Sequence, residues 1–455
     1  MLGALGVAVA WLIGFTASPF LVQLNWPLRA GFAYGLGLIW ISTMMGLASL
    51  FGVPLTPEVG MPLIVLPAAG WWLWRWRGSR RKPAALRAVS GSVSIGRDLW
   101  WWGMAVLLAL LWAIVAIRAV VKPIQFWDAW ATYAFKAKII YLEASIPGTM
   151  FEWVVVPNYP LGIPLQEVWT AWFVGSWDDV AIKWLFPGYL LALLFLVYGV
   201  LRDRWSARAA IGGTLFVAGL PFLLQHAHDG YTDLPLAYFV LGSAVALTRY
   251  ALSNDRRDLV LASVFAAGVV WTREDGLIVV VANALLLAVL GARRGGLITK
   301  TTFTTVGIYL GFPALVWGAW TLAKLHMGIS TNLHVDSSDV TVLDRWRTIF
   351  EVFIRALFLQ GNWMILWALF SLAFVHEFRK TLTEESMFLV WPVVMYLGVI
   401  GVLAFTTELF RFLWGDTVLH RLILHVAPLA ALWVALTYGR WWGLAESPRG
   451  DRVEG

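Results

Sequence analysis

The chain has 455 residues, of which 60% are hydrophobic and only 13% charged, with a formal net charge of +7 and no cysteine. Soluble globular domains contain about 45–50% apolar and about 25% charged residues, so this composition excludes an ordinary soluble domain and a disordered or fibrous chain. The missing cysteines exclude disulfides, thiolate metal sites and a cysteine nucleophile. We therefore expect an all-α polytopic membrane protein, and the 30 tryptophans agree with this, because indole rings favour the membrane–water interface.

Apolar stretches that approach the length of a membrane span recur along the whole chain. A transmembrane helix needs about 20 apolar residues. About thirteen segments fit this requirement: 3–23, 29–52, 59–76, 99–121, 182–201, 209–225, 234–250, 259–272, 276–291, 303–325, 361–376, 386–405 and 421–439. The neighbouring segments 259–272 and 276–291 are short enough to be half-spanning. The first stretch lacks a basic region and a cleavage site, so we expect a retained helix rather than a signal peptide.

The basic residues between these segments indicate the orientation. Lysine and arginine concentrate in loops that thirteen spans would place on one side: 75–98, 202–208, 249–257, 293–300, 379–380 and the tail after 440. The positive-inside rule assigns this side to the cytoplasm, with the amino terminus outside and the carboxyl terminus inside. The other face receives most carboxylates that could act in a reaction. This placement of charge favours membrane lipids over nucleic acid as partners.

The long external loop 122–181 is predicted to begin with a helix that lies in the membrane interface. One stripe at helical spacing contains Trp127, Trp130, Ala131, Ala134, Lys138 and Tyr141. Tryptophan and tyrosine in such a stripe sit at headgroup depth, and Lys138 can extend its charge to water. Asp128, Thr132 and Lys136 fall on another side. Asp128 stands in the first turn, where it can be either a helix cap or a functional carboxylate.

A second polar group precedes the predicted span 234–250. Two histidines and two aspartates lie within eight residues: His226, His228, Asp229 and Asp233. A charged Asp233 inside lipid would be costly, so we expect it to face a wet cavity at a helix start, or to cap the helix before Pro235. These oxygen and imidazole groups could also hold a divalent cation.

Two further groups of charges interrupt apolar stretches. Arg273, Glu274 and Asp275 would each cost about 2.5–3.5 kcal/mol in mid-membrane, so they must reach water or one another. They form either a simple polar hairpin or a site in which Arg273 reaches a lipid phosphate.

Arg421 opens the last predicted span, and His425 lies one turn deeper on the same face. A guanidinium there can bind a phosphate bidentately or anchor the helix at the interface.

Taken in order, these segments resemble GT-C glycosyltransferases, and among them the branch of protein O-mannosyltransferases and aminoarabinose transferases. The resemblance runs from about residue 99 to 439. It rests on Phe126-Trp127-Asp128, on Lys136-Ala137-Lys138, on Asn158-Tyr159-Pro160-Leu161 and on a terminal Arg421-Leu-Ile-Leu-His425-x-x-Pro428. It implies a GT-C-like bundle at 99–439, after an N-terminal segment 1–98 of three spans without a counterpart and before a cytoplasmic tail, 440–455. The bacterial inner membrane is the implied location.

The resemblance also implies a chemistry. The donor would be a polyprenyl-phosphate-linked sugar, the active site would face away from the cytoplasm, and Asp128 would be the base of an inverting transfer. Asp233 would contribute to the same site, by positioning the acceptor or holding Mg²⁺ or Mn²⁺. Arg273 and Arg421, with Lys136 or Lys138, would bind the donor phosphate. Candidates for contact with the acceptor or a metal are His226, His228, Asp229, Glu274 and His425.

Two other functions fit the same sequence. A transporter or flippase of lipid-linked sugars also uses buried Asp and Arg residues. The candidate residues gather on one face, however, whereas alternating access needs a site near the midplane. An oligosaccharide ligase or polymerase would act on lipid-diphosphate donors. The sequence does not indicate which sugar is moved, or whether the acceptor is a protein, a lipid or a glycan.

Overall fold

The computed structural model describes residues 2–17, 21, 23–79, 98–296, 299–329, 342–407, 409–414 and 418–441. Of these residues 81% are helical, and none forms a strand. Seven of the described helices are long and apolar enough to cross a membrane. The protein is thus an all-α membrane protein, as the composition predicts. The basic segment 80–97 and the tail from 442 to 455 lie outside the described residues.

The helices are numbered in chain order. The first half of the chain contains α1 Leu2–Phe15, α2 Trp26–Leu50, α3 Pro57–Ser79, α4 Leu99–Val121, α5 Phe135–Glu143, α6 Gly162–Val174, α7 Leu185–Arg202, α8 Ala207–Ala218 and α9 Pro221–His226. The second half contains α10 Asp233–Ser253, α11 Arg256–Thr272, α12 Leu277–Gly295, α13 Lys300–His326, α14 Val342–Ile354, α15 Leu366–His376, α16 Met387–Thr406, α17 Leu419–Leu424 and α18 Ala427–Trp441. Short helices also occur at Met150–Trp153, Phe378–Thr381 and Leu409–Trp414.

Seven helical segments meet the length and hydropathy of a span. They are Trp26–Leu50, Leu99–Val121, Ala181–Arg202, Asp233–Ser253, Glu274–Gly295, Lys300–His326 and Met387–Thr406. The segment predicted at 276–291 is therefore part of a 22-residue apolar helix rather than a half-span. The other predicted spans correspond to shorter or less apolar helices, so the count of thirteen stays a prediction.

Prolines interrupt two segments that we predicted as single spans. The segment 209–225 is divided into α8 and α9, with Pro221 at the start of α9. The segment 421–439 is divided into α17 and α18, with Pro428 in the first turn of α18. Proline lacks the N–H of the helical ladder and fits the first turn of a new helix. The second break places His425 between the two helices.

The centre of the bundle is α10, which has 83% of its apolar window buried, compared with 17% for α4 and for α13. It packs against α7, α11, α16 and α18. Small residues permit the close approach to α11: a Cβ added to Gly242 would lie 2.3 Å from the Phe265 ring, and one added to Gly268 would lie 2.6 Å from the Phe239 ring. The charged first turn of α10 is thereby held inside the protein.

The N-terminal helices also belong to this core. The Tyr34 hydroxyl of α2 donates to the carbonyl of Leu185 at 2.9 Å, and the Tyr238 hydroxyl of α10 donates to the carbonyl of Gly31 at 2.5 Å. The Trp169 indole of α6 donates to the carbonyl of Gly6 at 3.0 Å. Helices α1 and α2 therefore pack directly against the region 99–439 to which the resemblance applies.

One end of the bundle collects the basic loops that we predicted to share a face. Ion pairs join loops that are distant in sequence: Arg204–Glu385 at 3.8 Å, Arg249–Asp203 at 3.7 Å, Arg294–Glu384 at 2.9 Å and Arg440–Glu385 at 3.6 Å. These contacts place the loops after α7, α10, α12 and α15 and the end of α18 together. Which side of a membrane they face stays a prediction.

Candidate functional site

Asp233 is the centre of a buried charge cluster. It is the first residue of α10 and is fully buried. Its Oδ1 accepts a hydrogen bond from Arg273 Nη1 at 3.2 Å and lies 2.9 Å from His425 Nε2, and its Oδ2 accepts from Arg421 Nε at 3.1 Å. No side chain caps this helix start, so the interpretation of Asp233 as a helix cap is wrong. A buried carboxylate is stable only when paired in this way.

Arg421 connects this buried carboxylate to Asp128. Its Nη1 donates to Asp128 Oδ2 while its Nε donates to Asp233. The guanidinium also lies over the ring of Tyr231, with 4.3 Å between Cζ and the ring centroid, which is within the range of a cation–π contact. One side chain near the end of the chain thus fixes two carboxylates that were predicted separately.

Asp128 is the accessible carboxylate of the group. It precedes a π-helical segment, Ala129–Ala134, and makes no capping hydrogen bond, so its interpretation as a helix cap is also wrong. Its side chain is 38% exposed, whereas that of Asp233 is 0% exposed. Among the described residues, Oδ2 has Arg421 as its partner and Oδ1 has none. Asp128 can therefore accept a proton from a substrate, which Asp233 cannot do without rearrangement.

Arg273 is fully engaged within the protein. It follows the end of α11, and its Nε and Nη2 donate to the two carboxylate oxygens of Asp275 at 3.0 and 2.9 Å. Its Nη1 donates to Asp233, and its Cζ lies 5.1 Å from the ring centroid of Tyr159. Each guanidinium nitrogen thus has a carboxylate partner. Its predicted contact with a donor phosphate stays a prediction.

His425 completes the cluster. It lies at the break between α17 and α18 and is buried, with Nε2 facing Asp233 and Nδ1 2.6 Å from the hydroxyl of Tyr396. Tyr396 was not predicted, because a lone tyrosine inside the apolar stretch 386–405 gives no local signal. Asp275 was predicted to reach water or a neighbouring charge, and its pairing with Arg273 confirms this, although Asp275 was not assigned to the site.

Lys136 and Glu274 contact the loop of residues 157–159, which lies next to the site. Lys136 is fully buried, and its Nζ donates to the carbonyls of Pro157 and Tyr159 at 3.1 and 2.7 Å. Burial lowers the pKa of Lys136 to about 7. Glu274 pairs with Lys324 and accepts from Asn158 Nδ2 at 3.2 Å.

These contacts hold the loop that presents Tyr159 beneath Arg273. Lys136 and Glu274 contact this loop rather than Asp233. Lys138, by contrast, is exposed. The predicted contacts of both lysines with phosphate, and of Glu274 with acceptor or metal, stay predictions.

The remaining predicted residues lie at the other side of Tyr231. The ring of His226 stacks on Tyr231 with 5.2 Å between centroids, and its Nε2 lies 4.0 Å from Asp233 Oδ2. Burial lowers the pKa of His226 to about 4, so its imidazole is neutral. His228 Nδ1 lies 2.7 Å from Asp229 Oδ1.

A divalent metal does not fit this arrangement. Both oxygens of Asp233 are bonded to guanidinium groups, which occupy the positions that a cation would need. In the part of the chain that the structure describes, no three His, Asp or Glu side chains are grouped as metal ligands. The predicted dependence on Mg²⁺ or Mn²⁺ stays a prediction.

The net charge of the cluster limits what it can bind. The carboxylates of Asp128, Asp233 and Asp275 face the guanidinium groups of Arg273 and Arg421. Three carboxylates thus face two guanidinium groups, so every guanidinium charge is already matched by a carboxylate of the cluster. The cluster has a carboxylate available to a hydroxyl, but no surplus positive charge for an incoming phosphate.

No known protein family matches the chain, and no match is found among curated proteins.

Proposed function

We propose that this protein is an inverting glycosyltransferase that moves a sugar from a polyprenyl-phosphate donor to an acceptor hydroxyl at the extracytoplasmic face of the bacterial inner membrane. The observation that carries the proposal is the state of Asp128, an accessible carboxylate with one oxygen held by Arg421 and the other without a partner among the described residues. It stands seven residues after the end of α4, a helix long and apolar enough to span a membrane.

The proposed reaction is a single displacement. The acceptor oxygen forms a bond with the anomeric carbon, and the bond between that carbon and the phosphate oxygen breaks, with its electron pair moving to the phosphate. Asp128 Oδ1 takes the proton of the acceptor hydroxyl and later releases it to water. Such a base contributes about 10²–10⁴-fold. The products are a glycoside of inverted configuration and a free polyprenyl phosphate.

The other residues of the cluster prepare Asp128 for this role. Arg421 fixes the orientation of the Asp128 carboxylate through Oδ2, and Oδ1 is left available to the acceptor hydroxyl. Asp233 is buried and acts as a positioning residue, because it holds Arg421 in place. Arg421 Nη2 makes no hydrogen bond with the described residues and remains available to a substrate.

The test is release of free polyprenyl phosphate from a panel of synthetic polyprenyl-phosphate sugars by the full chain in proteoliposomes. We expect Asp128→Asn to lower release at least about 100-fold, since the amide cannot accept the proton. Asp179→Asn is the matched control, because Asp179 lies in the same loop and, among the described residues, its side chain accepts a hydrogen bond only from the nearby Trp177 indole, at 2.7 Å.

Two outcomes would contradict the proposal. Release at the normal rate by a folded Asp128→Asn protein would remove Asp128 from the mechanism. Movement of intact donor across the bilayer, without release of polyprenyl phosphate by the unmodified chain, would favour the transporter or flippase.

A further inference from the structure

One cavity of the protein is a groove lined by the end of α4, the following residues up to Phe126, and α9. It has a volume of about 660 Å³ and lies between the end of α4 and α9. Apolar residues of both helices line its length, among them Leu111, Ile114 and Leu224. Polar residues gather at one end: Arg118, Lys122, Gln125, Lys183, His228 and Asp229. Apolar walls with a few convergent polar groups are typical of ligand sites.

The polar end has a surplus of positive charge. Arg118 and Lys122 are exposed, and neither pairs with a carboxylate of the described chain. Lys183 is buried, and its Nζ makes only long contacts, 3.4 Å each, with the carbonyls of Pro123 and His228. Asp229 is the only carboxylate among the lining residues. Several arginines at the opposite end of the bundle, by contrast, pair with carboxylates, as Arg204 does with Glu385 and Arg294 with Glu384.

Asp229 requires a hydrogen-bond donor from the ligand, in addition to the negative charge that the cations require. Its Oδ1 faces His228, but its Oδ2 is buried and has no hydrogen-bond partner among the described residues. A buried acceptor without a donor is costly, so a ligand that supplies an O–H group would be stabilised here. A phosphate alone would be repelled by this oxygen, whereas a sugar hydroxyl would donate to it.

The groove adjoins the charge cluster through two aromatic rings. Phe126 lines the groove and packs against Tyr231, with 5.4 Å between ring centroids. Tyr231 in turn lies beneath Arg421, which holds Asp128. A head group at the polar end is therefore separated from Asp128 by a single aromatic layer.

We propose that this groove binds the donor lipid, with its phosphate on Arg118, Lys122 and Lys183, a sugar hydroxyl on Asp229 Oδ2, and the first prenyl units along α4 and α9. The ligand class rests on the proposed function. The phosphate finds here the positive charge that the Asp128 cluster lacks. A phosphodiester carries one negative charge, and the monoester left after transfer carries up to about two, so these cations also stabilise the leaving group.

The test measures binding, not turnover. Polyprenyl monophosphate is titrated into the full chain in phosphatidylcholine nanodiscs and followed by native mass spectrometry. We expect Arg118→Gln/Lys122→Gln to bind it about tenfold or more weakly, since two charge-assisted contacts are lost. Arg256→Gln/Lys300→Gln is the matched control, because it removes the same charges from a separate cavity of about 250 Å³, and its affinity is expected to be unchanged.

The role of Asp229 is tested with the same assay. The unmodified chain is expected to prefer a polyprenyl-phosphate sugar to the monophosphate, and Asp229→Asn to reduce that preference while binding the monophosphate at least as well. The proposal is overturned if the Arg118/Lys122 double variant binds the monophosphate normally. It is also overturned if phosphatidylglycerol displaces the ligand when present in equal amount, since the groove would then be a general anionic lipid site.

Failure of this inference is distinguishable from failure of the proposed function. Asp128→Asn is expected to bind the monophosphate like the unmodified chain. If Asp128→Asn abolishes transfer while the Arg118/Lys122 double variant binds the monophosphate normally, the proposed transferase activity is supported and the assignment of the groove is wrong. If the unmodified chain transfers no sugar while the double variant loses binding of the monophosphate, the assignment of the groove is supported and the proposed transferase activity is wrong.

Discussion

Arg421 donates a hydrogen bond to Asp128 across 293 positions of the chain, and the same guanidinium donates to Asp233 at 3.1 Å. The accessible carboxylate is thus fixed by a cation that is itself fixed by a buried carboxylate. The site therefore depends on the geometry of these two hydrogen bonds as much as on charge. Substitutions of Arg421 and of Asp233 test this dependence.

Replacing Arg421 with lysine keeps the positive charge but removes the planar fork that spans both carboxylates. We expect Arg421→Lys to lower the transfer rate about 10- to 100-fold in the polyprenyl phosphate release assay. Arg347→Lys, at an exposed position of α14, is the control and should retain the normal rate. A normal rate in Arg421→Lys would show that a point charge is sufficient.

Asp233 and Asp128 should differ sharply in their effect on stability. Asp233→Asn leaves two buried guanidinium groups without their shared counter-ion, which costs about 3–5 kcal/mol in the free energy of unfolding. Asp128→Asn changes a partly exposed pair, which is worth about 0–1 kcal/mol. Denaturant unfolding in detergent, followed by tryptophan fluorescence, compares the two. Equal stabilities would contradict the central role of Asp233.

The burial of Lys136 should make the free energy of unfolding depend on pH. Burial lowers the pKa of Lys136 to about 7, while that of the unfolded chain is about 10.4. Between these values the unfolded chain binds more protons, so stability rises with pH through this window and is lost as pH falls through about 7. Thermal unfolding between pH 6 and 10 should show this slope in the Lys138→Met control and a smaller slope in Lys136→Met. Identical slopes would mean that Lys136 does not titrate in this range.

Chelation tests the prediction of a divalent metal. Because guanidinium groups occupy both oxygens of Asp233, we expect transfer to continue unchanged after treatment with EDTA. Loss of transfer, with recovery on adding Mg²⁺ or Mn²⁺ but not Ca²⁺, would restore the metal to the site. Rates before and after gel filtration into metal-free buffer provide the measurement.

The helices could largely be predicted, because the length of an apolar stretch is a local property. The segment 386–405, for example, corresponds to the helix Met387–Thr406. The breaks before α9 and after α17 were missed, although Pro221 and Pro428 are visible in the sequence. Proline is tolerated inside membrane helices, as Pro313 is within α13, so its presence alone does not mark a break.

The members of the site could be selected from the sequence, but their partners could not. Asp128, Asp233, Arg273 and Arg421 stood out as charges beside apolar stretches. The sequence predicts that Arg273, Glu274 and Asp275 reach water or one another, but which of them form a pair depends on side-chain geometry. The burial of Lys136 could not be predicted from a regular helical period, because the segment 129–134 is π-helical and has wider turns. Arg118 and Lys122 were not selected, because basic residues at the end of a span commonly anchor the helix at the interface and carry no further signal.

The slight burial of α4, with only 17% of its apolar window covered, has a consequence for how the protein would meet its donor. If α4 spans the membrane and the groove binds the proposed donor, the groove opens sideways into the hydrocarbon, and a prenyl chain would enter by two-dimensional diffusion without crossing water. Occupancy then follows the mole fraction of donor in the bilayer rather than its bulk concentration. Diluting a fixed amount of donor with inert phospholipid would slow the reaction, and saturation would be expressed in mole per cent.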